Sequence, residues 1–273
     1  MDTAITAETR KKRLKKGAQG WLRALPFILP GLILVAVFVV YPMLFTIRIS
    51  LSEYKIVQGD ITFIGLENFK NVLEGGSRFW YAYRNNFLYA IVTVPFIILG
   101  GMFFAYLINN LRRGQGIFRV GFYLPVITSW VIVSLVFQYM FNNSSRGLIN
   151  YFLVDVLHVM DDYVPWLLRE WSGNAAIWLM GIWKNMGWAM IIYLAGLQSI
   201  PRELYEAAEL DGAGRFKKMW HVTIPGIKST IVVLLIMNLG WVLNTSFEVP
   251  YLLGTGMLQD VSQTIDIFVL KYG

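Results

Sequence analysis

The side chains able to do chemistry in this 273-residue chain are few and scattered. It has no cysteine. Its two histidines, His158 and His221, are isolated, with no His/Glu cluster at metal-ligand spacing around them. Neither a Walker A phosphate loop nor a G-x-S-x-G nucleophile elbow occurs, so ATP binding by the first route and acyl transfer by the second are excluded. One charge, Lys184, stands beside Asn185 inside an apolar run, where an ionisable group is by default a functional candidate. It has an alternative reading, an interface residue paired to backbone carbonyls. A single lysine is not the relay of charges that ion-coupled transport requires. The chemistry that stands out is of another kind: a charged loop, Ser199–Ser229, of sequence SIPRELYEAAELDGAGRFKKMWHVTIPGIKS.

The elements that must position this loop follow from composition. Hydrophobic residues make up 56% of the chain and charged residues 15%. A soluble domain carries about 25% charged residues, so this chain is too apolar to be one. Its pI of 9.5 alone would suit nucleic acid, but the basic residues sit in short clusters between apolar runs, as in a polytopic membrane protein. A bilayer core of about 30 Å needs roughly 20 apolar residues as helix. Five runs qualify: Leu25–Ile47, Phe87–Ile108, Ile117–Phe141, Ala175–Leu197 and Ser229–Phe247. A sixth begins at Val261–Leu270, and the chain stops there, so the expectation is a piece of a longer protein. The fold class is therefore an all-α transmembrane bundle of about six spans. It is organised as a basic tail (1–24) and a transmembrane domain (25–273). Small residues within the runs, Gly100, Gly101, Ala105, Gly181 and Gly187, let helices approach closely.

Lys and Arg alternate by loop. The tail, the 111–119 loop and the 199–228 loop together hold 15, and the intervening loops hold 7. The positive-inside rule then puts the N-terminus and the 199–228 loop on the cytoplasmic side. The external loops carry a strand-like ITFIGLENF stretch after Tyr54, and Tyr163, Trp166 and Trp171, aromatics suited to the headgroup level.

Within the loop, Pro201 suits a first helical turn, and Glu203, Glu206 and Glu209 favour the positive end of the helix dipole. Leu204, Ala207, Ala208 and Leu210 form a small, smooth apolar face. Gly212 and Gly214 end the helix, a second short turn spans Phe216–His221, and Pro225 breaks before the next run. Such a helix fits a groove on a cytoplasmic partner, or rests on lipid headgroups.

The same residues carry a resemblance. Glu206-Ala207-Ala208, three residues, Gly212, nine residues and then Val222-Thr223-Ile224-Pro225 resemble the EAA loop of permease subunits of binding-protein-dependent ABC importers, in the sugar-transporting group. Tyr41-Pro42, Phe63–Phe69, Leu124-Pro125 and Gly147–Asn150 are similar too, so the likeness runs from about residue 25 to the end. It implies a type I importer fold in the cytoplasmic membrane of a bacterium or archaeon. ATP would be bound by partner ATP-binding cassette subunits, with no cofactor on this chain. Further implied partners are a second permease, an extracytoplasmic solute-binding protein, the bilayer and a carbohydrate substrate.

By resemblance, Glu206, Ala207, Ala208, Asp211, Gly212, Ile224 and Pro225 form the ATPase-coupling segment, and Trp183, Asn185, Trp188 and Asn238 are candidates for the substrate pathway. A catalytic role is not expected. The competing reading is a secondary transporter or channel subunit working without ATP.

Overall fold

The computed structural model describes residues 24–55, 60–74, 77–245, 248–253 and 262–272. The basic tail through residue 23 lies outside them, and so does Val261. The chain divides into two units, Met1–Gly76 and Ser77–Gly273.

The first unit begins with α1 (Ala24–Ser50), long and apolar enough to cross a membrane. It contains Pro30 and Pro42, neither of which can donate to the helical ladder. A π-helical stretch, Ala36–Val40, immediately precedes the turn that holds Pro42, and widening the helix there absorbs the missing donor without a break. Two antiparallel strands follow, β1 (Ser52–Lys55) and β2 (Asp60–Phe63), in the register Ser52 opposite Phe63. This is the strand-like stretch expected from ITFIGLENF. Asn68, at the start of α2 (Glu67–Glu74), donates from Nδ2 to the carbonyls of Ser50 (3.1 Å) and Ser52 (2.9 Å) and so ties the hairpin base to the helix.

In the second unit two long helices, α3 (Ser77–Asn109) and α6 (Glu170–Gln198), lie against each other and form the core. Ile97, Ile98, Ala105 and Ile108 from α3 and Ala189, Met190, Tyr193 and Leu194 from α6 are buried in it. The expected close approach is real. A Cβ on Gly181 would fall 2.2 Å from the Tyr89 hydroxyl, and one on Gly187 2.0 Å from the Phe122 carbonyl oxygen. Gly187 thereby lets α4 (Gln115–Ile127) lie directly on α6.

The run 117–141, expected as one span, is not one continuous helix in the structure. It is two helices, α4 and α5 (Trp130–Met140), bent by 96° at Thr128 and Ser129, whose ψ angles of 138° and 141° are extended. Periodicity cannot see such a break, because the residues on both sides of it are equally apolar. The loop after α6 forms α7 (Arg202–Leu210) and α8 (Arg215–Gly226), and α9 (Lys228–Thr245) follows, with α8 and α9 bent by 62°. Two short helices close the unit. The first, α10 (Glu248–Leu253), packs on α5, with Gln138 Nε2 donating to the Leu252 carbonyl at 2.7 Å. The second, α11 (Ile265–Tyr272), packs on α3, where its Ile265 N–H donates to Asn86 Oδ1 at 3.0 Å. Among the described residues, three unbroken helices and two bent pairs are thus long and apolar enough to cross a membrane.

Candidate functional site

The loop Ser199–Ser229 folds as a helix laid beside the ends of α3 and α6 and fastened to its own second half. Pro201 sits just before α7 with ψ 135°, supplying the carbonyl that accepts from Leu204 N–H. At the other end the Gly212 N–H donates to the Glu209 carbonyl at 3.0 Å and the Ala213 N–H to Ala208 at 2.8 Å, with Gly212 at φ 72°. Those two bonds are the paired closure of a Schellman turn, which needs a left-handed residue at that place. The expected role of Gly212 as helix terminator is therefore met in its backbone geometry.

Two contacts hold α7 onto α8. The hydroxyls of Tyr205 and Thr223 share a hydrogen bond at 3.0 Å, and Lys218 Nζ donates to Glu209 Oε1. The first is half-buried and orients the helix. The second is an exposed pair and contributes little. Neither Tyr205 nor Thr223 stood out in the sequence, although Tyr205 is the one aromatic on a helix of otherwise small, aliphatic and charged residues. The outer surface is left open: Glu206, Ala207, Asp211 and Gly212 are exposed, Ala208 is half-buried, and Leu210 is 90% exposed. Among the described residues Glu206 has no side-chain partner. It lines a polar cavity with Arg202, Tyr205, Glu209 and Gln115.

The break expected at Pro225, before the next run, falls two residues after it. The helix α8 runs through it to Gly226, and the bend falls at Ile227. The residues before it, Met219–Thr223, are π-helical, a widening that accommodates a proline ring otherwise in collision with the preceding turn. Ile224 is half-buried in this segment.

Within the bundle, Lys184 is 5% exposed and donates to three backbone carbonyls: Pro125 (3.0 Å), Val126 (3.1 Å) and Thr128 (2.6 Å). These belong to the end and break of α4. The last four carbonyls of a helix have no partner within it and carry its negative dipole end. The Thr128 hydroxyl takes the Leu124 carbonyl at 2.8 Å, and the ammonium takes the next two. Its charge also lies 4.7 Å from the centre of the Trp130 ring. The interface reading of Lys184 is the one realised, and it explains how a 96° break is tolerated within an apolar run.

The four pathway candidates do not converge on one site. Trp183 is 46% exposed, lies tilted against Phe137 with ring centres 5.9 Å apart and lines an apolar cavity between α4 and α6. Asn185 Nδ2 donates to its own helix at the Gly181 carbonyl (2.9 Å), and buried Asn238 does the same to Leu234 (2.8 Å). Trp188 lies with its ring centre 6.1 Å from that of Trp241, and its Nε1 has no acceptor among the described residues. Trp241 was missed because nothing in the sequence marks it out from the other tryptophans.

The outer loop 142–169 is built on Asn150, which is fully buried. Its Nδ2 donates to the carbonyls of Asn142 and Val164, and its Oδ1 accepts from Val164 N–H and Trp166 Nε1. Trp166 therefore serves the loop's interior through its Nε1, while Trp171 stays 66% exposed. The Tyr163 hydroxyl donates to Asp155 Oδ1 at 3.1 Å, and that bond pushes its pKa upward.

Apolar helices, a break capped by a buried lysine and an exposed helix–turn–helix between two spans define a multi-pass membrane transport subunit. The chain belongs to the family described as binding-protein-dependent transport system inner membrane component, whose model matches residues 75–271. It is 30% identical over 252 residues to the probable ABC transporter permease protein YurN of Bacillus subtilis, covering 90% of this chain and 83% of that one. It is 31% identical over 272 residues to the trehalose/maltose transport system permease protein MalF of Thermococcus litoralis, covering 100% and 88%. Among solved structures, a bacterial ABC transporter that imports the acidic polysaccharide alginate contains a chain of similar fold. The TM-score is 0.81 at 26% identity, with 95% of this chain and 86% of that one covered. This chain is accordingly a permease of an ABC importer. The secondary-transporter reading is not favoured, and the one intramembrane lysine it would have used is occupied by carbonyls.

Proposed function

We propose that this permease forms half of an import pathway for an oligosaccharide. It would pair with a second permease and couple to ATP-binding cassette subunits that bind the ATP. The observation that carries the coupling reading is the exposed helix α7, closed by the Gly212 turn and anchored through Tyr205 to Thr223 on α8. A partner that pulls on α7 pulls through that hydroxyl pair on the segment leading into α9. Ala207 and Ala208 permit close approach of a groove wall, and Glu206 and Asp211 offer it carboxylates. The cytoplasmic side for this loop, and with it an internal N-terminus, is part of the reading and rests on the distribution of basic residues.

The carbohydrate cargo is supported by the relatives' own substrates, which include trehalose and maltose, lactose and arabinooligosaccharides. A related structure holds an alginate pentasaccharide on a periplasmic protein, which supports delivery by a solute-binding protein here too. Of the pathway candidates, Trp188 suits a sugar best, with an aromatic face beside Trp241 and a buried Nε1 that has no acceptor among the described residues. The test is purification of the protein from its native membrane in mild detergent, with mass spectrometry of what co-elutes. A Walker A ATPase and a second permease in fixed ratio are expected. Recovery of the folded chain alone would overturn the reading.

A further inference from the structure

Between the end of α3, the end of α6 and the helix pair α7–α8 lies a cavity of 490 Å³. Its walls include Asn109, Asn110, Arg112, Tyr205, Arg215 and Lys218, and none of its lining residues is acidic. Lys218 is paired with Glu209. Arg112 and Arg215 have no side-chain hydrogen bond or ion pair among the described residues. Two guanidinium groups facing a cavity without a carboxylate suit a phosphate, which arginine binds through its planar fork.

The cavity also has an apolar approach. Leu107, one of its lining residues, ends a stripe on α3 formed by Phe96, Leu99, Phe103 and Leu107, each between 44% and 62% exposed. The spacing keeps these residues on one helix face. From Phe96 to Leu107 the helix rises about 16 Å, close to one leaflet of a bilayer core of about 30 Å. Because the cavity lies where two spans end, it stands at headgroup depth. A cationic pocket at the head of an acyl-length apolar track matches one amphiphile with an anionic head.

We infer that this cavity binds the phosphate of an anionic phospholipid whose chain lies along the Phe96–Leu107 stripe. The phosphate bridges Arg112, in the loop after α3, to Arg215, the first residue of α8. The lipid thereby stiffens the base on which α7 stands. Binding requires only that the chain is in a membrane; the effect on transport rests on the coupling reading of α7.

The experiment uses the importer purified with its partner subunits. Native mass spectrometry follows retention of phosphatidylglycerol, of phosphatidylcholine with the same acyl chains, and of inorganic phosphate. Wild type is expected to retain phosphatidylglycerol in stoichiometric amount and to discriminate against phosphatidylcholine. R112Q/R215Q should retain it about thirtyfold less, since each juxtamembrane cation contributes roughly a fivefold preference, and R112K/R215K should retain most of it.

Equal retention of the two lipids overturns the inference, as does undiminished phosphatidylglycerol on R112Q/R215Q. Binding of inorganic phosphate with no lipid retained also overturns it, in favour of a soluble anion. Should R112Q/R215Q fail to assemble, the wild-type comparison of the two lipids still decides. Gly212→Val separates the two readings: it should lower ATP-driven uptake and leave lipid retention unchanged.

Discussion

Replacing Lys184 with methionine removes the ammonium from among three carbonyls while nearly keeping the volume of the stem. The carbonyls of Pro125, Val126 and Thr128 then face a protein interior with nothing to donate to them. Hydrogen bonds to a charged group contribute about 1.5–3 kcal/mol each. They do not add fully, because the break between α4 and α5 can relax or admit water. The expected loss is therefore about 3–5 kcal/mol, the range found when one partner of a buried charged pair is removed. For a chain of this size that is roughly 6–20 °C in melting temperature. The assay is thermal unfolding of the purified assembly in mild detergent, read by intrinsic fluorescence, beside uptake at a low temperature where the variant stays folded. Lys184→Arg should fall between the two, since its charge is kept but a planar fork matches three convergent carbonyls poorly. A methionine variant that melts with wild type but no longer transports would refute this reasoning. It would make Lys184 a residue acting on cargo rather than on the helix break.

Other substitutions probe the remaining joints. At Gly212 a Cβ would meet nothing within 4 Å, so only the φ of 72° restricts the residue. Gly212→Asn should thus keep uptake, while Gly212→Val, at a cost of about 1–2 kcal/mol in the left-handed region, should lower it. Equal damage from both would show that the partner, not the turn, demands glycine. Gly187→Ala places a Cβ against the Phe122 carbonyl and should force α4 off α6, destabilising the assembly by about 1–3 kcal/mol; an unchanged melting temperature would count against the close packing. Asn150→Ala removes both sides of the hub in the outer loop and should cost about 2–4 kcal/mol. Hydrogen exchange should then quicken across 142–168 and stay slow in α3 and α6, and uniform protection would contradict the hub.

Part of the site was legible because it is local. A Schellman turn is decided by one glycine and the residues just before it, so Gly212 could be placed from spacing alone. The helix α7 could be read from its glutamates and alanines, and the strand β2 from ITFIGLENF, but not the pairing of β2 with β1. The anchors of α7 were not legible, since Tyr205 and Thr223 are 18 residues apart and meet only because the chain turns back at Gly212. Proline was a partial guide. The break expected at Pro225 falls two residues later, at Ile227, whereas the one after Pro125 fell in a run that looked continuous.

What the sequence by itself determined is the class of solvent and the number of apolar segments, because twenty apolar residues have no stable place but a bilayer or a large core. It also determined the presence of a charged, glycine-closed helix between two of those segments. Only the tertiary structure decided what Lys184 does, which of the tryptophans meet, and where a run bends. Those outcomes depend on which carbonyls and ring faces are brought together from distant parts of the chain. A charge in an apolar run has several ways to be satisfied. The choice among them was made by the packing of α4 on Gly187, one helical turn from Lys184 on the same helix.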